Sequence, residues 1–153
     1  MNELDPNTLT AQLQDIWYKE IPLSKSMELS IVSFANNQLI TRASLAPNVN
    51  VHGSAFAGSL YSVQALTGWG MMHLQLQLHE LDASIVIANG QIDYAKPVAE
   101  EIVVSCSFAG QEAAMDTLQK SGKGRFQLTS EVHLSDGSSA GSFSGLYAVR
   151  LNR

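Results

Sequence analysis

The chemistry-bearing residues of this 153-residue chain gather around one loop and the segment that follows it: Asn48, Asn50, His52, Gly53, Ser54, Gly58, Ser59, Tyr61 and Gln64. A histidine side chain titrates near pH 6.5, so His52 is a candidate general base at neutral pH, against the alternative of a structural hydrogen bond in the loop. Gln64 is a candidate for positioning a water or a carbonyl, or else a satisfied buried amide. Asn48 or Asn50 would orient a water or simply make the turn. Tyr61 would donate to a carbonyl, or pack in the core with its hydroxyl bonded. Gly53, Ser54, Gly58 and Ser59 are small and lie near an expected helix start. Unpaired N–H groups there, helped by the helix dipole, would receive developing negative charge. Ser59 has neither a His–Asp relay nor the Gly-x-Ser-x-Gly context of a serine nucleophile.

Other motifs carry less. His73 and His79 are six apart, not the three or four that share a helical face, so a metal pair is not expected. Ser121-Gly122-Lys123-Gly124-Arg125 looks like a phosphate loop, but Thr117 stands where a Walker A motif needs glycine. Lys123 and Arg125 remain candidates for contacting phosphates, or are ordinary exposed loop residues. The single cysteine, Cys106, allows no internal disulfide and no cysteine-based zinc site. Its neighbours Val103, Val104 and Phe108 mark it as an inert buried thiol.

The elements that must position these residues follow from charge and periodicity. Only 15% of residues are charged, the net charge is -5 and the pI is about 5.2. A nucleic-acid binder should instead show a basic face. No charge occurs from Ala43 to His79, so this stretch is expected to be buried. Its interspersed Ser, Thr, Gln and His residues exclude a membrane span. The N-terminus lacks a basic and an apolar region, so no secretory signal is expected and a cytoplasmic setting fits. One domain covering residues 1–153 is expected. Asp5 to Glu20 reads as a helix ended by Pro22; Met27–Phe34 and Gln38–Leu45 read as strands around an Asn36-Asn37 turn. Residues 54–78 read as a long helix, apolar nearly all round, in which Gly58, Gly68 and Gly70 imply close approach of another backbone. Four strands follow, at 83–98, 101–109, 124–134 and 138–151. A helical turn is expected at 112–120, and a two-residue hairpin at Asp136-Gly137.

This order resembles the hot-dog fold, an α+β architecture in which a curved antiparallel sheet of about six strands wraps a long central helix. Pro47-Asn48-Val49-Asn50-Val51-His52-Gly53-Ser54 resembles the Asn…His-Gly-Gly loop that precedes the central helix in acyl-CoA thioesterases of this fold. Gly90-Gln91-Ile92-Asp93-Tyr94-Ala95-Lys96-Pro97-Val98 resembles the strand after that helix. Phe56-Ala57-Gly58-Ser59-Leu60-Tyr61 and Leu66-Thr67-Gly68-Trp69-Gly70 look like the signature of thioesterase domains of the YiiD type, often fused behind an acetyltransferase domain, for which no room is expected within these 153 residues. The resemblance implies hydrolysis of acyl-CoA or acyl-carrier-protein thioesters by a homodimer or homotetramer, with no cofactor beyond the coenzyme A of the substrate. In many relatives an Asp or Glu follows the loop glycine by eight residues. Here that position is Tyr61, counting from Gly53, or Leu66, counting from Gly58. The missing carboxylate leaves a non-catalytic acyl-thioester-binding or regulatory protein as the alternative. It also weakens a third reading, a dehydratase or hydratase of the same fold.

Overall fold

The computed structural model describes residues 5–152. Asp5 caps the first helix, α1 (Pro6–Glu20), by accepting the Asn7 N–H at 3.4 Å, and Leu9, Leu13 and Trp17 form its buried face. Pro22 ends α1 and also opens a second, five-residue helix, α2 (Pro22–Ser26), which the sequence did not announce. The same fixed φ that bars proline from a helix interior suits it to a first turn. Strands β1 (Leu29–Ala35) and β2 (Gln38–Ala43) meet at Asn36-Asn37, both with positive φ (53° and 57°), as a two-residue type I′ turn requires.

A 3-10 turn (Ala46–Asn48) and a loop lead to the central helix α3 (Ala57–Leu78), three residues later than expected. Then come β3 (Ala83–Tyr94), β4 (Ile102–Ser107), α4 (Glu112–Ser121), β5 (Lys123–His133) and β6 (Ser139–Leu151). The β5–β6 hairpin differs from expectation. Leu134 N–H donates to Ser138 O and Gly137 N–H to Leu134 O, with Gly137 left-handed at φ 87°. The loop is therefore three residues, Ser135–Gly137, with glycine at the one position where a side chain would be strained.

All strand pairs are antiparallel and the sheet order is β1-β2-β4-β5-β6-β3. The helix α3 packs against five of the six strands, β2 through β6, so the sheet wraps it. Eleven of its 22 residues are buried, which explains the charge-free stretch: an ionised side chain here would lose its hydration without a partner. The buried polar groups are paired across the helix–sheet boundary. Thr67 and Thr41 hydroxyls lie 2.8 Å apart, and Tyr147 OH donates to Ala65 O at 2.7 Å. The glycines of α3 admit aromatic rings rather than a second backbone. A β-carbon on Gly58 would meet the Phe56 ring, one on Gly68 the Tyr147 ring, and one on Gly70 would stand 2.7 Å from Trp17 Cζ2. Among the described residues, no helix is long and apolar enough to cross a membrane.

Cys106 is buried on β4, and burial pushes its thiol up to about 11, partly opposed by a Ser130 hydrogen bond. Thiolate is the reactive form, so the native protein should not react with a thiol-labelling disulfide at pH 8, whereas urea-unfolded protein should release one equivalent. Rapid labelling of the native protein would contradict this burial.

Candidate active site

The loop before α3 is built by its two asparagines. Asn48 is 2% exposed and its Nδ2 donates to Met27 O at 2.9 Å and Ser44 O at 2.7 Å. Its backbone N–H donates to Leu45 O, and its carbonyl accepts Phe56 N–H at 2.7 Å. One residue thus ties the end of α2, the end of β2 and the entry to α3. Asn48→Ala would leave two buried carbonyls without donors, about 1–3 kcal/mol each in full desolvation. A urea-denaturation loss of about 2 kcal/mol or more is expected; a loss under about 0.5 kcal/mol would mean the loop is held by other contacts.

Asn50 closes the next turn. Its Oδ1 accepts His52 N–H at 2.8 Å and Ser54 N–H at 3.2 Å, and its Nδ2 donates to Ser54 Oγ at 3.0 Å. This side chain mimics a backbone turn and uses up Ser54, whose hydroxyl would otherwise suit a helix cap. Gly53 sits in the turn at φ 79°, and the exposed His52 stands at its tip. Ala55 N–H then donates to Val98 O at 2.7 Å, docking the loop on the segment after β3.

The consequence falls on α3. Its N-cap is Phe56, which offers no side-chain acceptor, and the first helical bond runs from Leu60 N–H to Phe56 O. The N–H groups of Ala57, Gly58 and Ser59 are those a helix leaves unpaired at its start. Ala57, the first of them, lines a cleft of about 310 Å3 together with Asn50, Ser54, Leu60, Tyr94 and Lys96, among others. Tyr94 OH donates to Ala57 O at 2.9 Å and so fastens the end of β3 to the first turn of α3. The region combines uncapped N–H donors, the positive end of a 22-residue helix and one ammonium side chain. That is a site for receiving negative charge.

The candidates divide by position. Asn48, Gly53, Ser54, Gly58 and Ser59 belong to this loop and helix start. Gln64 lies deeper, 1% exposed, with its side-chain Nε2 donating to Ser130 O at 2.9 Å while its backbone carbonyl accepts Ser130 Oγ at 3.1 Å. Its amide thus clamps α3 to β5. The Tyr61 ring packs edge-on against Phe143 at 4.9 Å between centroids, and its hydroxyl lies over Gly90 of β3, where a β-carbon would collide with it. Lys123 and Arg125 are elsewhere: β5 begins beside the end of β6 and the start of β3, whereas Ala57 adjoins the end of β3. Tyr94 and Lys96 were passed over in the sequence, although both lie in the segment that resembles the strand after the central helix. Tyr94 could have been found from the need to pin that strand; nothing in the sequence marks Lys96.

Comparisons with known proteins agree with this architecture. The family model described as "Putative thioesterase (yiiD_Cterm)" matches residues 10–151. A solved structure described as a "putative thioesterase" from Shewanella oneidensis is 36% identical, with 93% of this chain and 97% of that chain covered and a TM-score of 0.87. A protein of unknown function from Chlorobaculum tepidum TLS is 28% identical over 98% of this chain and 99% of that one, with a TM-score of 0.91. A Pseudomonas aeruginosa protein described as a "Probable Thioesterase" is 18% identical, covers 94% and 96% of the two chains and has a TM-score of 0.78, a likeness of fold. With the family match spanning nearly the whole chain, a six-stranded sheet around one long helix and the loop motif at that helix's start, this chain belongs to the YiiD C-terminal family of hot-dog thioesterases.

Proposed function

We propose that the protein hydrolyses acyl-CoA or acyl-carrier-protein thioesters at the start of α3. The observation that carries this reading is the uncapped first turn of α3, where Phe56 supplies no acceptor and Ala57, the first helical residue, lines the cleft. Water adds to the thioester carbon, and the carbonyl oxygen becomes an oxyanion facing these N–H donors. The C–S bond then breaks to give a carboxylic acid and a thiol. Donors already aimed at the developing charge need no reorganisation during the reaction.

His52 is the proposed base that takes the proton from water: its ring is exposed at the loop tip, while its backbone N–H is spent on Asn50. Gln64, Asn48 and Tyr61 hold the surrounding elements in register, and Ser54 shapes the loop. A cytoplasmic setting suits coenzyme A thioesters. The working form is a homodimer or homotetramer. Its support is the 12-residue edge strand β3, which among the described residues pairs only with β6 and exposes Val86 at 62% and Ile87 at 41%.

The test is thiol release by the pure protein over a panel of short to long acyl-CoA and acyl-carrier thioesters. Turnover well above blank is expected, with His52→Ala lowering kcat about 10²-fold or more at neutral pH. Unchanged turnover in His52→Ala removes it from the mechanism. No release with any substrate sinks the hydrolase reading. Tight acyl-CoA binding without release would instead favour the non-catalytic binder, the reading that the carboxylate-free α3 suggests.

A further inference from the structure

A second groove, of about 870 Å3, lies between α4 and the outer face of β3, β6 and β5, far from the start of α3. Val86, Ala114 and Ala148 form apolar wall, and Lys123, Arg125 and Arg150 supply three cations. The β5–β6 register brings these three together. Lys123 is directly opposite Arg150, and Arg125 is opposite Ala148, the next outward-facing position of β6. Cross-strand partners project from the same face, and like charges directly opposite one another repel. Among the described residues no carboxylate lines the groove. Among the described residues, two cations outside the groove are ion-paired, Arg42 with Glu101 at 3.5 Å and Lys120 with Asp116 at 3.0 Å, while Lys19, Lys25 and Lys96 stand singly along the chain. Leaving three exposed cations side by side, in a chain of net charge -5, is an unfavourable arrangement that a bound polyanion would relieve.

We infer that this groove binds the phosphates of the nucleotide end of a coenzyme A thioester, with Arg150 completing the set begun by Lys123 and Arg125. The inference rests on the thioesterase reading and sharpens it, because it selects a multiply phosphorylated small molecule over a carrier protein. The volume falls within the range of small-molecule pockets, and the cations occupy neighbouring outward positions of two adjacent strands, as a compact cluster of phosphates requires. The position of the groove adds a second consequence. Its β3 wall is Ser84 and Val86, whereas the α3 start adjoins Tyr94, ten residues from Ser84 and about 30 Å away along an extended strand. Two copies that join their β3 edges about a two-fold axis must run those strands antiparallel. The Ser84 end of one subunit then stands beside the Tyr94 end of the other. The phosphates of a substrate are held by one subunit and its thioester by the partner.

The experiment compares acyl-CoA with the same acyl group on phosphate-free pantetheine, for wild type and for Arg125→Glu/Arg150→Glu. The expected result is a fall in the acyl-CoA to acyl-pantetheine ratio of kcat/KM of about tenfold or more per reversed charge. An unaltered ratio overturns the groove assignment while leaving hydrolysis, and the thioesterase reading, intact. A defect confined to acyl-carrier-protein substrates overturns it too, in favour of a protein-docking face. If wild type hydrolyses neither of these nor the acyl-carrier-protein thioester, the thioesterase reading has failed. Calorimetric titration with coenzyme A then decides the groove alone: binding that the double variant abolishes supports it, and no binding, or binding equal in both, overturns it. Hybrids of Ala57→Pro subunits with Arg125→Glu/Arg150→Glu subunits test the two-subunit arrangement. Each hybrid dimer regains one intact site if the parts come from different subunits, and none if they come from the same one.

Discussion

Ala57→Pro lowers kcat on an acyl thioester about 10²–10³-fold, the usual effect of deleting one oxyanion-hole donor, while the protein melts within a few degrees of wild type. Few substitutions delete a backbone N–H without damage, but the first position of α3 permits it. Phe56, the residue before, has φ -62° and ψ 136°, the extended conformation that a following proline demands. Ala57 is exposed, so the ring meets solvent, and proline's φ suits a first helical turn. The change therefore removes one hydrogen-bond donor and little else. Ala57→Ser, which keeps the N–H, should retain most of the activity. If Ala57→Pro stays within about threefold of wild type, the Ala57 N–H does not face the oxyanion and the donors are those of Gly58 and Ser59. Because the interaction strengthens in the transition state, the loss should appear in kcat rather than in KM.

The position of that donor shows where the sequence was legible and where it was not. The central helix was visible because burial on all sides leaves a compositional mark: no charge for 37 residues, which any wrapping sheet would impose. Its start was placed three residues early, at Ser54, because the composition does not show where the loop ends. Only the folded loop reveals that Asn50 has already taken the Ser54 hydroxyl and N–H. Helix glycines announced close packing but not its partner. The Phe56 ring over Gly58 is a near neighbour, but the rings of Tyr147 and Trp17 come from β6 and from α1, at separations no local pattern encodes. Arg150 was invisible beside Lys123 for the same reason: 27 residues separate them, and only the β5–β6 register makes them neighbours. The loop asparagines and small residues were found because their chemistry is local. Lys96 was missed because one exposed lysine reads as solvated surface until a cleft forms around it.

The largest stability effect expected lies where β6 meets α3. Tyr147 is 1% exposed, its hydroxyl donates to Ala65 O at 2.7 Å, and its ring fills the space beside Gly68. Tyr147→Ala removes a buried aromatic ring and leaves a cavity, a loss of about 3–5 kcal/mol. That is a large part of a typical total of about 5–15 kcal/mol, and it lowers the melting midpoint by roughly 10 °C for a domain of this size. Gly68→Ala alone is also destabilising, by about 1–3 kcal/mol, because the new methyl group collides with the tyrosine ring. This happens although alanine is the better helix former by about 1 kcal/mol. The two losses are not additive, since they concern the same space. In a Tyr147→Ala background the obstruction is gone, and Gly68→Ala should become stabilising by up to about 1 kcal/mol as helix propensity reasserts itself. A urea-denaturation double-mutant cycle reads this reversal of sign directly. If Gly68→Ala were equally harmful in both backgrounds, the glycine would be required by α3 itself rather than by the ring packed against it.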